Sequence, residues 1–275
     1  MKSSLKEDRG GYEEVSSFSR RLATQWLGRQ IIFFRELTST QDEVKRRLFT
    51  SPSGLVVWAD RQVCGRGRMS RPWFSPRGAG LYFSILLKEP LASPLPLYGL
   101  ATAVGIAEAL EEVIGVPFQV KWPNDVLLSG RKVAGILLEA VSSALIVGIG
   151  VNVSVKREHF PPEFREKATS IYEETGLSIS RPRILRKILE TLESIYEGLL
   201  AKGFASFASL WEKRDVTFGA RVVLKRAEGV ISGVALGPAP DGTLKLKPFH
   251  NQDLIYIHSG EILLWEIPGW ETRAA

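Results

Sequence analysis

The chain has 275 residues, 44% of them apolar, which suits one large domain or a domain with a small companion and is enough for a sizeable core. Its formal charge of +6 and pI of about 9.4 are mildly basic, admitting nucleic acid as a partner and equally any phosphorylated or acidic one. One cysteine excludes an internal disulfide and a cysteine-cluster metal site, and it fits a reducing compartment.

Residues 1–30 form a polar extension without the apolar stretch of a secretion signal, although an amphipathic helix is expected around 17–27. No apolar run approaches the roughly 18 residues needed to span a bilayer, so a soluble cytoplasmic protein is expected. Residues 31–34 (IIFF) read as a buried strand. Thr38, Ser39 and Thr40 then open a helix with Asp42 and Glu43 in its first turn. Ser39 and Thr40 read equally well as caps or as part of an anion site at that helix end.

A strand over 54–59 leads into the densest stretch of the chain, residues 61–77 (RQVCGRGRMSRPWFSPR), and a strand over 81–87 leads out. The stretch holds five arginines and no acidic residue, and its glycines and prolines bar a regular helix. Most charge runs are solvated faces. A long loop between two buried strands, with Trp73 and Phe74 interleaved, favours an anion site instead.

Residues 97–114 carry apolar side chains at helical spacing, an ordinary core-facing helix. A β-meander follows over 118–122, 126–128, 133–141 and 144–153, with polar residues gathered at its ends. Lys121 and Asp125 could be a surface ion pair worth little. Asn152 lies in an apolar run, where its amide needs partners. Structural satisfaction is the commoner explanation and base recognition the sharper one. Residues 154–180 read as irregular, 182–200 as an amphipathic helix and 204–213 as another. From about 216 onward the chain reads as short strands and turns of a small β-barrel. The expected domains are thus a 1–30 extension, a 31–215 catalytic unit and a 216–275 barrel.

The chain has no P-loop and no complete dinucleotide fingerprint, and its three histidines lie outside every dense motif. The remaining inventory of cations, amides and a carboxylate suits attack by a substrate's own carboxylate on the α-phosphate of a nucleotide. That step needs charge neutralisation and alignment rather than a protein nucleophile.

These blocks resemble those of biotin protein ligases, which activate biotin with ATP as biotinyl-AMP and pass it to a lysine of a biotin carboxyl carrier domain. The matching residues are Ser39-Thr40, Gln62, Gly65-Arg66-Gly67-Arg68, Arg71, Trp73, Ser75-Pro76, the KWPND block 121–125, the RKVAGI block 131–136, Glu139 and the GIGVN block 148–152. They stand in the family's order and spacing from about residue 33 onward. The resemblance implies a mixed-sheet α/β catalytic domain with a C-terminal SH3-like barrel. It implies that Ser39, Thr40, Gln62 and Gly65 hold the biotin end, with backbone contacts from Gly135 and Leu137. Arg66, Arg68 and Arg71 would close over biotin carboxylate and phosphates, with Trp73, Asn124 and Asn152 on the nucleotide. Lys132 would stabilise transition-state charge, Lys121 would face the phosphates, and Asp125 would hold Mg2+ or orient the acceptor lysine. Separately from the resemblance, exposed sheet edges would allow a homodimer; DNA and membrane are not expected partners, since the N-terminal DNA-binding domain of some members is missing.

Three departures accompany the match. Gln41 stands where Asn is usual, Ser70 where Gly is frequent, and Cys64 where the family has a small residue, which suggests inert packing. Lipoate ligases and octanoyltransferases are the nearest rivals; their Ser-Gly-Gly-Gly pattern is absent here. A basic nucleic-acid-binding module leaves the KWPND block and Asn152 unexplained, and intact Lys132 and Arg66 disfavour an inactive carrier-binding protein.

Overall fold

The computed structural model describes residues 18, 21–88, 93–250, 253–266 and 273–274. Of the helix expected over 17–27, residues 17, 19 and 20 lie outside them; from Arg21 to Leu27 the chain is turns and irregular backbone, so the helical expectation does not hold there. There the backbone N–H groups of Gln25, Trp26 and Leu27 donate to the buried Glu193 carboxylate at 2.6, 2.9 and 2.7 Å.

Seven strands form the main sheet: β1 (Ile31–Phe34), β2 (Val56–Ala59), β3 (Gly80–Lys88), β4 (Gln119–Lys121), β5 (Asp125–Leu128), β6 (Arg131–Val141) and β7 (Ala144–Asn152). Their order is β1-β2-β3-β7-β6-β5-β4, antiparallel except for the β1–β2 pair. Strand alternation sends Val147, Ile149 and Val151 to one face and Ile146, Gly148, Gly150 and Asn152 to the other. The first face packs on α2 (Leu95–Ile114), which α4 (Arg181–Lys202) covers in turn. The α4 stripe Ile184, Leu185, Ile188, Leu189, Leu192 and Tyr196 is fully buried. Each such side chain contributes about 1.5–3 kcal/mol as an upper figure. The short α1 (Thr40–Arg46) covers the second face only near β2, β3 and β7, through Val44, Val57, Leu86 and Ile146. Beyond its first turn that face is open.

The connection after β7 is more ordered than its composition implies. It holds two 3-10 turns and α3 (Ile171–Thr175), capped where Ser170 Oγ accepts from the Glu173 N–H at 3.1 Å. The helix expected over 204–213 is instead a 3-10 turn, Gly203–Ser206, followed by α5 (Ala208–Glu212). Phe204 and Phe207 stack edge-on across this break, with centroids 5.2 Å apart.

The β-rich tail forms a separate six-stranded antiparallel sheet: β8 (Arg221–Arg226), β9 (Gly229–Pro238), β10 (Leu244–Pro248), β11 (Ile255–Ile257), β12 (Glu261–Glu266) and β13 (Arg273–Ala274). Its order is β11-β10-β9-β8-β12-β13. Among the described residues no helix is long and apolar enough to cross a membrane.

Candidate active site

A cavity of about 1020 Å3 lies on the open part of the sheet's second face, large enough for a nucleotide and a second small molecule. Sheet register builds it. Residues directly opposite in an antiparallel pair share a face. Lys121 stands opposite Asp125, Asp125 opposite Gly135, Gly135 opposite Gly150, and Gly150 opposite Tyr82. The next row runs through Leu137, Gly148 and Ser84. Side chains from distant parts of the sequence thereby meet on one surface.

The glycines make that surface a bare backbone floor. A Cβ on Gly150 would stand 2.3 Å from Trp73 Nε1, and one on Gly135 would stand 2.9 Å from both the Trp73 ring and Lys132 Cε. A Cβ on Gly148 would meet Gln41 Cδ at 2.8 Å. Trp73 thus lies flat against the floor with Lys132 Nζ 5.4 Å from its ring centroid. Its own Nε1 is buried against Gly150 without a hydrogen-bond partner. Gln41, the first departure, is accommodated: it is buried and its Nε2 donates to the Leu137 carbonyl at 3.3 Å.

The hydrogen-bond chain at one end joins three elements. Gln62 Oε1 accepts from the Thr40 N–H at 2.9 Å and from the Thr40 hydroxyl at 3.1 Å, while Thr40 Oγ1 and Ser84 Oγ are 2.7 Å apart. Gln62 Nε2 donates to Ser75 Oγ at 3.1 Å, and Ser75 in turn donates to the Trp73 carbonyl. The capping reading of the helix start is corrected here. Ser39 occupies the cap position but makes no side-chain cap bond; Gln62 caps Thr40 instead. Ser39 is buried and does not line the cavity. Gly65 does not line it either. Its missing side chain lets the loop close on itself, since a Cβ there would stand 2.7 Å from both Ser75 Oγ and the Trp73 carbonyl.

At the other end Asp125 lies between two ammonium groups, Lys132 at 2.6 Å and Lys121 at 3.7 Å. Both Asp125 and Lys121 are largely withdrawn from water, so the surface-pair reading does not hold. Burial pushes the Asp125 carboxyl up, but Lys132 and Lys121 hold it below the ordinary carboxylate range. Burial pushes Lys121 below the ordinary ammonium range against the pull of Asp125. Asn124 Nδ2 donates to the Ile136 carbonyl at 2.5 Å, and its Oδ1 accepts from Arg68 at 3.3 Å. Burial lowers the Arg68 guanidinium, which stays charged. Asn152 Nδ2 donates to the Thr169 carbonyl at 3.0 Å, so its amide has a structural partner while the residue still lines the cavity.

The arginine loop forms a small hairpin in which Gly67 N donates to the Arg71 carbonyl at 2.7 Å. Met69 and Ser70 at its tip adopt left-handed φ of 54° and 57°. Ser70 therefore takes, at a cost of order 1 kcal/mol, the conformation a glycine would adopt freely. Arg66 pairs with Asp42 at 2.7 and 2.8 Å, and Arg71 grips Glu261 of β12 through both terminal nitrogens. Cys64 is exposed, which overturns the packing reading: its N–H pairs with the Thr38 carbonyl while the side chain faces out.

The cavity thus gathers Thr40, Gln62, Arg66, Arg68, Arg71, Trp73, Lys121, Asn124, Asp125, Lys132, Gly135, Leu137 and Asn152. Seven cationic side chains face it against four carboxylates, which favours an anionic occupant. Sequence reasoning missed two of its walls. One is the 160–168 segment with Phe160, Phe164 and Lys167, aligned where Lys132 N donates to the Lys167 carbonyl at 2.8 Å. The other is Glu261–Leu263 from the second sheet. The pair of phenylalanines around Pro161-Pro162 was the only available signal for the first.

Residues 33–155 match the biotin/lipoate A/B protein ligase family. The bifunctional ligase/repressor BirA of Bacillus subtilis is 34% identical over 250 residues, covering 88% of this chain and 76% of that one. The biotin–[acetyl-CoA-carboxylase] ligase of Mycobacterium tuberculosis is 29% identical over 242 residues, 82% of this chain and 88% of that one. Among solved structures, the biotin protein ligase of Aquifex aeolicus in complex with biotin and ATP superposes with a TM-score of 0.77 at 34% identity, covering 90% of this chain and 99% of that one. The register-built cavity, the cation inventory and these likenesses agree: the chain belongs to the biotin/lipoate A/B protein ligase family, among its biotin protein ligases.

Proposed function

We propose that the chain activates biotin with ATP and transfers it to a lysine of a biotin carboxyl carrier domain. The biotin carboxylate attacks the α-phosphate, pyrophosphate leaves, and biotinyl-5'-AMP forms. The acceptor lysine amine then attacks the acyl carbon of that mixed anhydride, AMP leaves, and an amide remains. The observation that carries this reading is the row Lys121–Asp125–Gly135–Gly150 together with Lys132 on Asp125, which sets two ammonium groups beside a backbone floor in a cavity with an excess of cations.

Neither step needs a nucleophile from the protein, since the substrates supply both. The protein's contribution is alignment and charge. In this reading Thr40 and Gln62 hold the biotin ring end, with Gly135 and Leu137 offering backbone. Ser39 and Gly65 act from behind, as part of the framework. Lys132 lies beside the carboxylate and α-phosphate and neutralises charge that grows in the transition state. Arg66, Arg68, Arg71 and Lys121 hold carboxylate and phosphates, while Trp73, Asn124 and Asn152 face the nucleotide.

Magnesium fits this site only as part of the nucleotide. Among the described residues no group of three metal-ligating side chains exists, and Asp125 is already flanked by two ammonium groups. Bound with ATP, magnesium offsets phosphate charge; Asp125 would lend it one oxygen or steer the acceptor amine. We place residues 31–215 in the catalytic unit and 216–275 in the accessory β unit, and the reaction in the cytoplasm. The proposed partner is the carrier domain, with neither DNA nor membrane involved. A second copy of the chain is a further candidate partner, through the edge strand β1.

The transfer half is tested by incubating the protein with biotin, ATP, Mg2+ and a biotin carboxyl carrier domain, then measuring the intact mass of the carrier. One added biotin, lost when the carrier's target lysine is replaced by arginine, is expected. A carrier that stays unmodified while adenylate accumulates would remove the acceptor assignment.

A further inference from the structure

Asp42 is read from sequence as a first-turn acid favouring a helix start. Its carboxylate is instead committed to the arginine loop: Oδ2 accepts from Arg66 Nη1 at 2.8 Å and Oδ1 from Nη2 at 2.7 Å. A two-point grip fixes the plane of a guanidinium as well as its position. Behind it lies a ring of alternating charge, closed between Lys45 and Asp42 only by longer-range attraction. Arg66 Nη2 is 3.9 Å from Glu139 Oε1, Glu139 Oε2 is 2.9 Å from Lys45 Nζ, and Lys45 lies one turn beyond Asp42 on α1. The four side chains are between 25% and 36% exposed, so solvent screens the ring only in part.

The ring members come from three elements. Asp42 and Lys45 belong to α1, whose first residue is tied to Gln62 and Ser84. Glu139 belongs to β6 and faces the same side as Leu137 and Gly135. Arg66 sits on the long loop and is the only one of the four that lines the cavity. The anchors stand behind the guanidinium and the ligand space in front of it.

We propose that Asp42 is the positioning residue for Arg66, holding the guanidinium at the cavity wall before substrate arrives so that it retains the acyl-adenylate. The proposal deepens the ligase reading above and rests on it. A long arginine on an unanchored loop loses rotamer freedom when it binds an anion, whereas one already fixed by its ring loses little. Asp42 touches no substrate and acts only through Arg66. Glu139 shares its charge with Lys45 and reaches Arg66 at a longer distance, so it supports the ring without setting the plane.

The test is the lifetime of adenylate on the enzyme. Labelled biotin and MgATP are allowed to react, excess unlabelled biotin and pyrophosphatase are added, and protein-bound label is followed. Asp42→Asn keeps the size of the side chain and removes its charge. It is expected to release adenylate about tenfold faster, within the range for residues sharing one ion-pair network. Asp42→Glu, with both oxygens kept, is expected to restore part of the lifetime. The deciding arm is the Arg66→Gly background, where Asp42→Asn should add nothing further. A wild-type lifetime in Asp42→Asn, or an effect that multiplies with Arg66→Gly, would overturn the proposal, because a purely structural role does not pass through Arg66. If the unaltered protein forms no adenylate, the ligase reading itself fails and this inference falls with it.

Discussion

The floor of the cavity and the loop above it are built by different physics. The floor is backbone on hydrogen-bonded strands, and its chemistry comes from side chains that are missing: Gly135, Gly148 and Gly150 let Trp73 and Gln41 lie against the sheet. The loop is side chains held by ion pairs, Arg66 to Asp42 and Arg71 to Glu261, with a tip in left-handed backbone. A floor of this kind fixes shape and tolerates almost no added atoms. A loop held by ion pairs keeps its guanidiniums at the cavity wall, where a ligand's carboxylate or phosphate adds to the carboxylate partner rather than replacing it.

The largest effect is expected where floor and cation meet. Lys132→Ala should lower the rate of adenylate formation by about 100-fold or more while biotin affinity measured by calorimetry changes far less. Equal losses in rate and affinity would contradict the transition-state role.

Next comes a pair of alanine substitutions that compares the two regions directly. Gly150→Ala places a Cβ against the Trp73 ring and should cost about tenfold to 100-fold in adenylation through displaced geometry. Gly67→Ala, on the loop, meets its nearest atom at 3.5 Å, an ordinary contact that displaces nothing, and should stay within about twofold. Similar losses at both positions would erase the distinction drawn above.

A smaller effect is expected at the link to the second sheet. Arg71 is 55% exposed in its pair with Glu261, so water screens the attraction. Glu261→Gln should therefore change the KM for ATP by less than about threefold. A tenfold change would make the second sheet a direct participant in nucleotide binding.

The smallest effect is a slope in pH. The hydrogen bond from Arg66, with its charge, holds the Asp42 carboxyl below its ordinary range. Its folded pKa thus lies below its unfolded pKa of about 3.9. The stability it contributes is present above that unfolded value and is lost as pH falls through the folded one. Thermal midpoints of the unaltered protein should therefore fall more steeply below about pH 4 than those of Asp42→Asn, and parallel curves would remove the coupling.

The floor was largely legible in the sequence. Strand alternation over 144–153 puts Gly148, Gly150 and Asn152 on one face, and the strand expected over 126–128 forms one residue earlier, so that it begins with Asp125. The loop's arginines were equally visible, because five guanidiniums and no acid in 17 residues stand between two buried strands with Trp73 and Phe74 interleaved. Their partners were not. Asp42 and Glu261 lie 24 and 190 residues from the arginines they hold, and no local pattern distinguishes either from a solvated acid. Ser39 shows the opposite failure: a good capping residue in the cap position whose role is taken by Gln62, 22 residues past Thr40, because a tertiary donor–acceptor pair displaced the local one. The 160–168 wall left only the phenylalanine pair around Pro161-Pro162 as a signal, because its place beside the cavity is set by backbone pairing with Lys132, well before it in the chain.

The central claim is that this cavity makes an adenylate from biotin. The most direct measurement is ATP–pyrophosphate exchange by the purified protein with Mg2+, adding biotin, lipoate or octanoate in turn. Exchange that depends on biotin and is absent with the other two acids is predicted. Exchange with lipoate or octanoate in place of biotin, or none with any of the three, would contradict the account.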